Sequence, residues 1–265
     1  MVHFVGAGSG APDLITVRGQ RLIREADVII YAGSLVNPAL LEEARPDAQI
    51  HNSAKMTLAE VLDVMRGAER AGKTTVRLHT GDPSLYGAVR EQMDALIADG
   101  IDYDVCPGVS SFCGAAAALK AEYTLPEVSQ SVIITRMAGR TAVPAGESIE
   151  SLAAHHATMV IFLSTGMLEE LSARLIAGGY AADTPAAIVY KATWPDEKVV
   201  RCRVGDLAPS AAAEGITKTA LIIVGNILGA DYALSKLYDA AFTTAFRQAS
   251  AGHGDAASSA GESDP

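Results

Sequence analysis

Three glycine-bearing strings hold the residues best placed for ligand chemistry. The first, Gly6-Ala7-Gly8-Ser9-Gly10-Ala11, follows an apolar run and satisfies the G-x-G-x-x-G/A pattern, in which glycines let a backbone approach a pyrophosphate. Two features oppose a dinucleotide. Pro12 stands where the helix of such a loop should be under way, at a cost of about 3 kcal/mol. The second apolar run ends in Tyr31-Ala32-Gly33, without the acid that grips a ribose. The second string, Gly81-Asp82-Pro83-Ser84-Leu85-Tyr86-Gly87, sits where a strand passes into a helix. Asp82 can accept bonds from a ribose or an ammonium there, or it can bond amides two residues on and close the turn. The third, Cys106-Pro107-Gly108-Val109-Ser110-Ser111, repeats the arrangement. Ser110 or Ser111 can cap the alanine-rich helix that follows, and the same hydroxyls with free helix amides can hold a carboxylate.

Other chemistries find little support. No G-x-S-x-G elbow offers a hydrolytic serine. His51 and His79 stand singly, and His155-His156 fall on an expected loop. Cys106, Cys113 and Cys202 show no CxxC spacing, so neither a metal site nor a disulfide framework is expected.

For the loops to act, strands and helices must hold them at one edge. Residues 2–5, 28–31, 75–79 and 101–106 read as buried strands, and residues 57–71, 85–97 and 110–119 as helices. Thr16 reads as the cap of a further helix through about residue 25. This alternation implies a mostly parallel sheet covered on both faces. The pattern changes beyond residues 122–129. Five strands (132–135, 159–163, 187–190, 199–204 and 221–224) are separated by fewer helices, at 168–176 and 207–214, which suits a mixed sheet. A last helix is expected at about 232–248. The resulting division is an α/β domain over 1–122, a second over 123–247, and a tail over 248–265.

Composition bounds the function. The 265 residues carry 31 acids against 21 bases, a formal charge of −10, with 49% hydrophobic residues. Roughly 150 residues per domain makes this one large or two small domains. The tail lacks large apolar residues, reads as disordered, and holds three acids, leaving 28 acids against 21 bases elsewhere. That balance opposes a general nucleic-acid partner. No apolar run reaches the roughly 18–20 residues of a membrane span, and the first residues lack a secretory pattern. A cytoplasmic role on a small molecule is the expectation.

Taken together and in order, the 6–16 string (ending Pro12-Asp13-Leu14-Ile15-Thr16), the GDPxxYG loop and the PGVSS string at 107–111 resemble the tetrapyrrole methylase family. The resemblance runs from residue 1 to about 245. Tyr31-Ala32-Gly33-Ser34-Leu35, the Thr135-to-Thr141 string TRMAGRT and the Tyr190-to-Glu197 string YKATWPDE are similar to the branch that acts on precorrins, with precorrin-4 as the implied substrate. The resemblance implies two α/β domains with a ligand cleft between them, S-adenosylmethionine as methyl donor and a homodimer. It places the cofactor against Pro12, Gly81, Asp82, Pro83, Leu85, Ser110 and Ser111 of the first domain. From the second domain it adds Leu163, Ala192, Thr219 and Ala220. Packing alone would also account for the small and apolar members of that set. A polycarboxylate acceptor on an acidic protein needs a local basic surface. Arg136 and Arg140 are the first candidates, with Lys191 beside them and Lys55, Arg201 and Lys218 weaker; solvated surface charge is the alternative for each. The competing readings are another tetrapyrrole or diphthine methylase, a nicotinamide dehydrogenase, and a non-catalytic binding module.

Overall fold

The computed structural model describes residues 1–33, 35–229 and 232–250. Five strands, β1 (Val2–Gly6), β2 (Val28–Tyr31), β3 (Gln49–Asn52), β4 (Thr75–His79) and β5 (Tyr103–Cys106), form an all-parallel sheet in the order β3-β2-β4-β1-β5. Alternate side chains serve opposite faces. Val5, Ile29, Val76 and Leu78 meet α1 (Val17–Glu25), which Thr16 caps by accepting from the Gly19 amide. Phe4, Ile30 and Val28 meet α2 (Leu58–Arg70) and α3 (Arg90–Ala98) through Met65 and Leu96. A capping box starts α2: Thr57 accepts from the Glu60 amide, and the Glu60 carboxylate accepts from the Thr57 amide at 2.7 Å.

The second sheet is mixed. Its strands β6 (Val132–Arg136), β7 (Thr158–Phe162), β8 (Pro185–Tyr190), β9 (Lys198–Arg203) and β10 (Ala220–Val224) run in the order β6-β7-β10-β8-β9. Only the β6–β7 pair is parallel. One face, with Met159, Ile161, Ile188 and Ile222, is covered by α5 (Ile149–Ala153), α6 (Leu168–Ala177) and α7 (Leu207–Ala213). The opposite face is covered by a helix from the other half of the chain. Helix α4 (Ser111–Leu119) follows β5 of the first sheet, yet its Ala115 and Leu119 are buried against Val160, Ala187, Val189 and Ile223. Its alanines and Gly114 permit the close approach, since a Cβ at Gly114 would meet Ser9 and Thr193 within 3.1 Å. Arg201 of β9 donates to the Leu119 carbonyl at 2.8 Å, and the Tyr123 hydroxyl donates to the Phe112 carbonyl at 2.8 Å.

Two expectations are corrected, and two elements carry no sequence signal. The helix expected at 85–97 begins only at Arg90, because Tyr86 (φ 56°) and Ala88 (φ 49°) take left-handed backbone that no α-helix admits. The helix expected at 232–248 is absent; one 3₁₀ turn, Lys236–Tyr238, interrupts irregular chain. Leu234 and Tyr238 are more than 80% exposed there, so no buried face supports a helix, and short isolated helices are marginal in water. Strand β3 is a polar edge strand with no apolar alternation to announce it. Helix α5 is too short to show a period. Of the tail, residues 251–265 lie outside the described residues. No helix among the described residues is long and apolar enough to cross a membrane.

Ala115 is fully buried where α4 meets the second sheet. Ala115→Leu is expected to overfill that contact and to lower the unfolding free energy by about 1–3 kcal/mol, as read by urea denaturation.

Candidate active-site cleft

The parallel strands deliver all three glycine strings to one edge of the first sheet, where ligands bind in open α/β sheets. The strings touch. A Cβ on Gly6 would lie 2.6 Å from Gly108 Cα and from the Gly81 carbonyl oxygen, and one on Gly108 would lie 2.2 Å from that same oxygen. Gly8 and Gly81 exchange two backbone hydrogen bonds, of 3.3 and 2.9 Å. Asp82 closes the arrangement. One carboxylate oxygen accepts from the amide and hydroxyl of Ser84, the other from the Gly108 amide at 2.8 Å. Burial would raise the Asp82 pKa, but the Ser84 hydroxyl and the Gly108 and Ser84 amides together hold it below the ordinary carboxylate value. Asp82 therefore both turns its own loop and ties it to the next.

The first string owes its last glycine, Gly10, to the opposite half of the chain. A Cβ on Gly10 would fall 2.2 Å from the Trp194 ring and 3.0 Å from the Ala192 carbonyl oxygen. The Ala11 amide donates to Thr193 Oγ1 at 3.0 Å, and Asn37 donates to the Gly10 carbonyl at 2.9 Å. The dinucleotide-like spacing is thus explained by packing, of Gly6 and Gly8 within the first half and of Gly10 between halves.

A cleft of two adjoining lobes opens above these loops. The first, of about 370 Å³, is lined from both halves by Ser9, Ser111, Leu163, Lys191, Ala192, Thr219 and Ala220, among others. The second, of about 270 Å³, includes Arg77, His79, Gly81, Asp82, Leu85, Tyr86 and Ser110. Leu35, Thr80, Ser111, Phe162 and Leu163 border both. Ser110 stands at the N-cap of α4 without a capping side-chain bond, so its buried hydroxyl is not spent on the helix. Among the described residues nine non-glycine positions have positive φ, and Tyr86, Leu163, Lys191 and Thr219 of these line the cleft. Such backbone costs about 1–3 kcal/mol per residue and marks sites whose geometry is imposed by their surroundings. Leu163 is 65% exposed, an apolar side chain held toward the lobes.

Of the residues expected at the cofactor, Gly81, Asp82, Leu85, Ser110, Ser111, Leu163, Ala192, Thr219 and Ala220 all line the cleft. Pro83 is buried and Pro12 exposed at the start of a 3₁₀ turn; neither lines a lobe. Lys191 lines the first lobe, but its ammonium lies 2.6 Å from Asp196 and over the Tyr190 and Trp194 rings. Arg136 and Arg140 stand outside the lobes. The Arg136 guanidinium donates to the carbonyls of Met137, Thr141 and Ala142, tying its own loop, while Arg140 is exposed. Arg136 still faces the cleft mouth, where its field opposes the rise that burial gives the Tyr86 pKa, and the Tyr86 ring sits 5.3 Å from that of Phe162. Sequence reading passed over Arg77, Trp194 and Phe162. The available signal was a charged residue in the middle of the fully buried string Thr75-Val76-Arg77-Leu78-His79.

A cleft between two α/β halves, lined by both and floored by glycine loops, defines a protein that holds a small molecule across a domain junction. The chain belongs to the tetrapyrrole (corrin/porphyrin) methylases, whose family model matches residues 1–208. It is 55% identical, over 93% of its length and 96% of the relative's, to the cobalt-precorrin-4 C(11)-methyltransferase of Methanocaldococcus jannaschii. Among solved structures it resembles that of a cobalamin biosynthetic enzyme, cobalt precorrin-4 methyltransferase. The TM-score is 0.85 at 45% identity, covering 86% of this chain and 96% of that one. It also resembles uroporphyrin-III C-methyltransferase from Thermus thermophilus in complex with S-adenosylhomocysteine. There the TM-score is 0.70 at 26% identity, covering 86% of this chain and 93% of that one.

Asp82→Asn keeps the shape but offers the three donors a single neutral carbonyl oxygen and turns an NH2 group against at least one of them. The expected loss at neutral pH is about 1–3 kcal/mol by chemical denaturation. Because the folded-state pKa is lowered, the contribution is present above the unfolded value of about 3.9 and fades as pH falls through the folded one. The gap between wild type and variant should therefore narrow in acid.

Proposed function

We propose that this chain transfers a methyl group from S-adenosylmethionine to carbon 11 of precorrin-4, in corrin-ring synthesis. The observation that carries the reading is the two-lobed cleft, in which nine residues expected from the family pattern stand together. Near-full-length similarity to a protein named for that reaction supports the choice of acceptor. The first lobe suits adenine: Leu163, Ala192, Val189 and Leu221 offer apolar walls, and Thr219 a polar edge. The second suits the amino-acid part, against Gly81, Asp82 and the hydroxyls of Ser110 and Ser111. Pro12 and Pro83 belong to the reading as residues that shape the adjacent loops. The acceptor meets the mouth, near Tyr86 and Phe162, with Arg136, Arg140 and Lys191 as the basic groups closest in purpose to its carboxylates.

The bound donor supplies an electrophilic methyl carbon on a positively charged sulfur. The electron pair of carbon 11, an enamine-like position, forms the new C–C bond as the C–S pair returns to sulfur and cancels its charge. A ring N–H proton is then lost. Because the positive charge is concentrated on sulfur in the ground state and shared between sulfur and the acceptor in the transition state, until the N–H proton carries it away, apolar walls at Leu163 and Phe162 penalise the ground state more than the transition state. Fixing the two carbons in line supplies the rest. His79 offers little as a base, since burial and then the field of Arg77 pull its pKa down to about 3. The homodimer of this reading is supported by the exposed apolar side chains Leu234, Leu237 and Tyr238, which a second copy would cover.

Incubation with S-adenosylmethionine and precorrin-4, metal-free and cobalt-loaded in parallel, is expected to give one added methyl at carbon 11 by NMR. Turnover of uroporphyrinogen III with methylation elsewhere on the ring would favour the other branch of the family instead. Arg140→Ala, at an exposed loop residue, is expected to raise the tetrapyrrole KM several-fold and leave S-adenosylhomocysteine affinity unchanged in calorimetry.

A further inference from the structure

Central strand β4 turns three polar side chains, Thr75, Arg77 and His79, toward the apolar layer beneath α2 and α3. Arg77 sits in register between Ile30 and Phe4, and the His79 ring stacks 6.2 Å from that of Phe4. Arg77 is 6% exposed and His79 4%. Their hydrogen bonds are incomplete. Arg77 Nε donates to Gln92 Oε1 at 3.0 Å and Nη1 to the Ile30 carbonyl at 3.2 Å. A guanidinium has five N–H groups, so three have no bond to a described residue. None of the ion pairs among the described residues includes Arg77. Nε2 of His79 is buried and has no partner among the described residues.

A buried cation without a counter-charge, beside a buried ring nitrogen without a partner, is costly unless something outside the chain meets both. Both side chains line the second lobe of the cleft. The one carboxylate that also lines this lobe, that of Asp82, is engaged by Ser84 and Gly108. Burial lowers the Arg77 pKa only to about 10, so the guanidinium stays charged at neutral pH. His79 stays neutral, with one N–H to donate.

We propose that Arg77 and His79 form a carboxylate-binding subsite in the second lobe, the guanidinium supplying the charge and the imidazole one further donor. The subsite itself stands on the geometry; naming its ligand rests on the methyl-transfer reading. Two molecules of that reaction carry the required group: the methyl donor, on its amino-acid end, and the tetrapyrrole, on its side chains. Pairing with either would complete the electrostatics of β4.

Arg77→Met and His79→Phe remove the donors at similar bulk, and Arg77→Lys keeps the charge. Calorimetry with S-adenosylhomocysteine and with 5′-methylthioadenosine, which lacks the carboxylate, separates the sources. If the donor's carboxylate binds here, Arg77→Met weakens S-adenosylhomocysteine at least about thirtyfold and leaves methylthioadenosine unchanged. If the acceptor's does, both affinities hold and the tetrapyrrole KM rises by a similar factor with kcat little altered. Arg77→Lys recovers part of either loss. His79→Phe, which leaves the charge in place, gives a smaller loss and serves if Arg77→Met does not fold. Equal weakening of both nucleosides, or no change in either nucleoside or the tetrapyrrole, overturns the proposal. Should wild-type protein bind neither S-adenosylhomocysteine nor a tetrapyrrole, the methyl-transfer reading fails, and succinate decides the subsite. A rise in wild-type melting temperature with succinate that Arg77→Met abolishes sustains it; no rise in wild type overturns it.

Discussion

Backbone-to-backbone contact among Gly6, Gly81 and Gly108 fixes the floor of the cleft, and much else depends on it. Three strand ends of a parallel sheet diverge by twist, and their loops meet only if no side chain stands between them. At 2.2–2.6 Å from neighbouring backbone atoms, even a methyl group would force the loops apart. Asp82 then adds the polar half of the same junction, holding the second loop to the third. With the floor fixed, Ser110 and Ser111 open α4 at a defined height, and α4 fixes where the second sheet lies.

Helix α4 is the hinge-less link between the halves. It begins at a cleft loop and ends buried on the far sheet, so the element that shapes the site also joins the domains. The first glycine string supplies a second tie, where Gly10 admits the Trp194 ring. The positive-φ residues Leu163, Lys191 and Thr219 lie on the second half's side of this junction. Their backbone is held by the surrounding packing, consistent with a site assembled in advance of its ligand.

Most of the architecture was legible in the chain because its signals are local. Thr16 and Thr57 cap helices where their spacing to apolar residues says they should, and β2 and β4 are bounded by turn residues on both sides. The strand-to-helix turn at Asp82 followed from its sequence, as did the change from a parallel to a mixed sheet. What escaped was non-local. Nothing around Leu85 announces that Tyr86 and Ala88 leave the helix, since their conformation answers to the cleft and not to propensity. The strand at 75–79 is legible, but that its Arg77 lies buried between Ile30 and Phe4 depends on the sheet order. The sequence opposes a dinucleotide at the first glycine string but does not say what Gly10 is for; the reason is Trp194, 184 positions later, whose ring lies against it.

The double tie between halves also sets how molecules come and go. Opening the cleft by swinging one half from the other would strip Ala115 and Leu119 from their sheet and withdraw Trp194 from Gly10, exposing apolar surface at each. The rim is differently built: Tyr86 and Leu163 are 45% and 65% exposed there and sit on loops outside regular structure. Turning either side chain uncovers none of the surface buried between the halves.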